Sequence, residues 1–223
     1  MTELDRRTLL GAGAATAAGL WVAPSVLTLD RVAAATGTCG VKPVRVDMST
    51  WAGTNVPSAF TANDGTNVTL SQSDPDNVQS GTWDMVVYDN NGGTLNGRDN
   101  PAITGMSGAN NGEGVTITFT FSTPRAVSFF LVDVDRSFGS WEDTVEVIGY
   151  LGGSPVDPAS MTTGAHATQI SSNTVRGTTS SSTTDSNVEV DFQTAVDTIV
   201  IRHYDVTTWT QFQWIGIHDL HWC

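Results

Sequence analysis

Residues 115–121 read Val-Thr-Ile-Thr-Phe-Thr-Phe, apolar and threonine in strict alternation. Only an extended strand, whose successive side chains point to opposite faces, turns that order into one apolar and one polar face. Such a strand needs a core on one side and water on the other, and threonine suits the wet face. Gly, Ser, Thr, Asn and Asp are abundant and long apolar helical patterns are absent. That composition suits many short strands joined by turns.

Residues 127–151 extend the pattern as strand, acidic loop, strand. Val127, Phe129 and Leu131 alternate with Ser128, Phe130 and Val132, which puts apolar residues on both faces and the strand deep in a sheet. The second arm, residues 144–151, sets Val145 and Val147 against Thr144, Glu146, Ile148 and Tyr150. Between the arms lie Asp133, Asp135, Glu142 and Asp143, gathered around Gly139 and Trp141. Four carboxylates at the mouth of a buried hairpin are costly unless something positive answers them.

Further strands are expected near residues 44–51, 67–71, 82–89 (with Trp83 facing the core), 188–192, 196–204 and 212–223. In the last, Trp214, Gly216, His218 and Leu220 alternate with Ile215, Ile217 and Asp219. Residues 89–114 read as a long, exposed, irregular excursion, and residues 161–187 as one or two marginal edge strands with a mobile loop. About nine or ten strands result, more than an immunoglobulin domain holds. The expected fold is a single all-β domain, an antiparallel β-sandwich wound as a jelly roll.

Residues 1–35 are an address rather than part of this fold. Asp5-Arg6-Arg7-Thr8-Leu9-Leu10 resembles the twin-arginine export signal, with Gly11 where lysine is common. A Gly/Ala-rich segment follows, shorter than a membrane span of roughly 20 residues, and Pro24 breaks it. Ala33-Ala34-Ala35 fits a small-x-small cleavage site, giving a mature domain of residues 36–223; an uncleaved anchor helix is the alternative. The resemblance implies a bacterial or archaeal source and an exported, extracellular, periplasmic or cell-surface product with no membrane span after cleavage.

The net charge is −13, and Lys42 is the only lysine. The chain has no electrostatic reason to bind nucleic acid or anionic lipid. It holds two cysteines, Cys39 and Cys223. In an exported chain they are most simply one disulfide, with free thiols or a covalent dimer as alternatives. A bridge would close a long loop, worth on the order of 5 kcal/mol by chain entropy, and would require the first and last strands to lie close together.

The succession VSFFLVDVDRSFGSWEDTVEVIGYLGG, VDTIVIRHYD, FQWIGIHDLHWC is similar to secreted bacterial β-sandwich modules of the galactose-binding-like or jelly-roll type. The shared features are a strand ending in acids, a D-x-V-x-V strand and a closing I-G-I core. The resemblance implies a binding or accessory module, often with a structural calcium ion. It carries no sugar-binding position across.

The chemistry-bearing residues divide into several sets. Asp133, Asp135, Glu142 and Asp143 are candidate calcium ligands, with Asp89 or Asp219 joining from neighbouring strands; the spacing is not that of an EF-hand. Solvated acids, one of them paired with Arg136, are the competing reading. His218 and His221, three apart on a strand, should face opposite ways and so not share a zinc. Glu189 and Asp191 share an outward face, but no third acid completes a glycosidase arrangement. Trp141 and Trp209 fall in loops and are candidates for a glycan-stacking platform. Pilin-like β-sandwiches cross-link a first-strand lysine to a last-strand Asn or Asp, which here suggests Lys42 and Asp219. The function expected is a non-catalytic module binding a glycan or cell-surface component. The alternatives are a structural, adhesive or self-assembling surface protein and a carbohydrate-active enzyme.

Overall fold

The computed structural model describes residues 41–79, 85–89, 94–107, 109, 111–180, 182–208 and 211–223. The signal segment, Cys39, Trp83 and Trp209 lie outside the described residues. In chain order the strands are β1 (Val44–Val46), β2 (Ala59–Thr61), β3 (Asn67–Ser73), β4 (Val86–Val87), β5 (Thr94–Leu95), β6 (Arg98–Asp99), β7 (Ala102–Met106), β8 (Gly114–Arg125) and β9 (Val127–Val132). They continue as β10 (Arg136–Ser137), β11 (Trp141–Leu151), β12 (Ser154–Val156), β13 (Ser160–Thr163), β14 (Ala167–Ser171), β15 (Thr174–Gly177), β16 (Val188–Asp191), β17 (Val196–Asp205) and β18 (Gln213–Trp222).

Two antiparallel sheets pack face to face. One runs β13-β16-β9-β18-β7-β4, with β1 beside the C-terminal half of β18. The other runs β14-β15-β11-β17-β8-β3-β2, with β10 and β12 paired to β11. The β5–β6 ribbon stands apart. The fold is the expected all-β sandwich. The alternation in β8 does what it demands: Val115, Ile117, Phe119 and Phe121 are buried, while Thr118 and Thr120 sit beside Ser71 and Thr69 of β3 on the outer face.

The core lies between the sheets. Ile117, Phe119, Val145, Val147, Ile199 and Ile201 meet Phe129, Leu131, Val188, Val190, Ile215 and Ile217. Each such side chain contributes roughly 1.5–3 kcal/mol by leaving water. Trp222 closes one end edge-on to Phe121, ring centroids 5.7 Å apart, and its indole N–H donates to Asp64 at 3.0 Å. Gly149 is required on the inner face of β11, where a Cβ would come within 2.6 Å of Val196 and 2.7 Å of Phe192.

Three sequence expectations are corrected. The excursion at 89–114 contains β7, buried throughout and paired to the middle of the first sheet through β18. Its Ala-Ile-Thr-Gly-Met order has no alternation because both of its faces are covered. Residues 161–187 hold two edge strands as expected, β14 and most of β13, but also a third strand, β15, which lies inside its sheet between β14 and β11. The alternation in β18 breaks: Ile215 and Ile217 are core, and so are Leu220 and Trp222. The register shifts between His218 and His221 against β9, a bulge in which Asp219 takes a left-handed φ of 29°. One extra residue reverses the facing, so Leu220 turns inward and His218 and His221 share the outer face.

Candidate functional site

At one end of the sandwich the inward rows turn from apolar to polar. On β11, Val147 and Val145 give way to Asp143; on β17, Ile199 and Ile201 give way to His203 and Asp205; on β18, Ile217 and Ile215 give way to Gln213. All four polar residues are fully buried. Asp143 and Asp205 are cross-strand partners, so two carboxylates lie side by side. His203 Nε2 lies 3.0 Å from Asp143 Oδ1, and an ionised Asp143 requires the proton on that nitrogen. Gln213 Nε2 donates to Asp205 at 2.7 Å.

The four acids singled out from the sequence converge on this end and are all nearly or fully buried. Asp133, held at φ 67°, ends the straight run of β9 and accepts from Asn96 Nδ2 at 2.7 Å. Asp135 accepts from the Trp141 indole at 2.6 Å. The Asp135 N–H in turn donates to Asp143 Oδ2 at 3.1 Å. Glu142 sits between Arg136 at 2.9 Å and Arg176 at 3.3 Å. What answers these carboxylates is therefore a set of donors from five segments of the chain. Among the described residues no group of three or more His, Cys, Asp or Glu side chains is disposed to hold a metal ion.

Asp89 and Asp219 do not join the set. Asp89 lies beside Gly53. Asp219 accepts from the Met48 N–H at 3.0 Å and from Arg45. Arg45 thus fills the place proposed for Lys42 beside Asp219. Lys42 instead reaches Asp191, and donates to the Phe192 carbonyl at 3.2 Å.

The hairpin between β10 and β11 turns through Phe138, Gly139 and Ser140, with Gly139 at φ 78° and the Ser140 N–H donating to the Ser137 carbonyl at 2.9 Å. The three-residue loop holds Phe138 out in solvent, 85% exposed. Arg136 lies 5.5 Å from the ring centroid. Residues 177–180 run alongside, because Gly177 has no Cβ to collide with the Asp135 carbonyl 2.1 Å from where one would sit. Arg136, Ser137, Phe138, Thr178, Thr179 and Ser180 line an open cleft of about 390 Å³. Trp141, the candidate from the sequence, is half-buried with its N–H turned to Asp135, so the open aromatic face at this tip belongs to Phe138.

A second polar surface lies on the outer face of the first sheet. The bulge brings His218 and His221 to it, and the Arg98 guanidinium stacks over Phe130 at 3.4 Å. Burial pushes both imidazoles below their usual range; Asp219 opposes this, while Arg98 and Arg45 add to it.

The arrangement defines an antiparallel β-sandwich with a buried acid layer under an exposed aromatic tip. The chain matches no protein-family model, no curated protein and no solved structure. Among the described residues no helix is long and apolar enough to cross a membrane.

Proposed function

We propose that this is an exported, non-catalytic binding module that engages a glycan or cell-surface component at the β10–β11 tip. The observation that carries the reading is Phe138, 85% exposed beside a hydroxyl-lined cleft. Phe138 presents an exposed ring face at the rim of that cleft, and a sugar presents the matching C–H face. Arg136 and the hydroxyls of Ser137, Thr178, Thr179 and Ser180 are suited to the ligand's own hydroxyls. The buried donors beneath hold the hairpin in place. A Cys39–Cys223 bridge belongs to the same proposal, since pairing of Val44 with Trp222 puts Cys223 at the β1 end of the sheet.

A soluble glycan array tests it. The wild type should retain a defined set of glycans, and Phe138→Ala should lose them with its thermal midpoint unchanged. Binding unaltered by Phe138→Ala would overturn the assignment of the tip. An array with no hits would favour a self-assembling surface protein.

Calcium at the hairpin is a second reading, favoured by one observation: the buried acids Asp133, Asp135, Glu142, Asp143 and Asp205 outnumber Arg136, Arg176 and His203 around them. A cation here would have to draw oxygens away from Asn96 or Trp141. Thermal unfolding in millimolar calcium and in EGTA tests it, because a ligand of the folded state raises the midpoint. A rise lost in Asp133→Ala supports the site. No shift leaves the protein's own donors as the carboxylates' only partners.

A further inference from the structure

We propose that Lys42 and Asp191 form an intramolecular isopeptide bond that locks the start of the domain to β16 across the outer face of the first sheet. The inference is independent of what the tip binds. Lys42 is the only lysine of the chain, and it is not spent on solvation: its side chain is 8% exposed. Its Nζ closes directly on Asp191 Oδ1. Asp191 ends β16, whereas Lys42 lies two residues before β1, and the strand order β16-β9-β18-β1 puts two strands between them. The segment before β1 and the Lys42 side chain together bring Nζ to its partner, 149 residues away in sequence.

The surroundings suit amide formation. Burial lowers the Lys42 pKa below that of a free lysine, against the opposing pull of Asp191 and Glu189, which favours the nucleophilic amine over the ammonium ion. The Phe192 carbonyl, 3.2 Å from Nζ, orients the amine. Glu189 is two residues before Asp191 on the same outward face and acts electrostatically on Lys42. Its side chain is exposed.

The step balances without any further reactant. Within the pair one proton passes from Lys42 to Asp191, and the neutral amine then attacks Cγ, forming the N–C bond. Glu189 takes a proton from the nitrogen and delivers it to a carboxyl oxygen. That C–O bond breaks, water leaves, and the remaining amide N–H keeps Phe192 O as its acceptor.

Intact mass of the purified full-length product tests this, with the N terminus read by sequencing and disulfides reduced under denaturing conditions. The expected mass is one water below that of the sequence, and proteolysis should yield one branched peptide joining Lys42 to Asp191. Asp191→Asn should form the same amide by losing ammonia, ending at the mass of the cross-linked wild type. Lys42→Arg should show full mass. Glu189→Gln, at an exposed position that does not threaten folding, should show mainly full mass. A wild type at full mass overturns the proposal. A water deficit that persists in Lys42→Arg overturns it too, by placing the dehydration elsewhere, as in a succinimide.

Discussion

Removing the Asp219 carboxylate withdraws one acceptor from two donors. The Met48 N–H is buried, and Arg45 is 37% exposed. Water screens the guanidinium, so the larger loss comes from the buried N–H left without a partner. Asp219→Ala should lower stability by about 2 kcal/mol, and Asp219→Asn by less because its amide oxygen still serves Met48. Urea unfolding of the three proteins checks the order; an alanine variant as stable as wild type would mean the bulge is held by the ladder alone. The sequence offers Asp219 as a calcium ligand joining from a neighbouring strand. Its left-handed φ is set by the bulge, which no local pattern announces.

At the scale of the element, β10, β11 and β15 are joined by one carboxylate. Glu142 of β11 is held by Arg136 from β10 and Arg176 from β15. Both arginines are about a third exposed, so the three-residue set contributes modestly to global stability. Glu142→Gln should cost about 1–2 kcal/mol, less in high salt. Its larger effect should be local: faster amide hydrogen exchange over residues 136–140 than over the core of β11. Equal protection across the two segments would show that the hairpin does not depend on this set. The sequence showed the acids of this hairpin, and Arg136 beside them. It did not show Arg176, which arrives through the β11–β15 pairing, nor the exposure of Phe138, which depends on a three-residue loop.

For the whole molecule, acid should weaken the fold in two ranges. His218 and His221 are held below 6.5 in the folded state, chiefly by burial. As pH falls through 6.5 the unfolded chain takes up protons before the folded one does, so stability declines from there down to the folded-state values. Asp64 acts lower. Burial works against its charge, but hydrogen bonds from Trp222 and Thr66, with Arg125 alongside, hold it below 3.8; its contribution is present above 3.8 and lost as pH falls through the folded-state value. Thermal midpoints should fall between about pH 7.5 and 5 and fall again near pH 3. A His218→Gln, His221→Gln double variant should flatten only the first decline, and a first decline of unchanged size would assign it to other groups.

Local patterning specifies the fold class and most of the core. Period-two alternation in β8, β16 and β17 has one physical solution, a sheet with one dry face; β9 is expected to be covered on both sides, but Ser128 and Phe130 on its outer face are only half-buried. The pattern also specifies where the acids gather. Part of their answer was readable too: Ile199, Ile201, His203 and Asp205 share one parity, so the polar residues had to follow the apolar ones inward. Tertiary structure alone decided the rest. It placed β7 in the sheet, because a strand covered on both faces carries no period. It reversed His221 and Leu220 through a bulge, because one inserted residue changes parity without changing composition. It also chose Asp191 rather than Asp219 for Lys42, because contacts between residues far apart in sequence follow strand order, which local patterning does not encode.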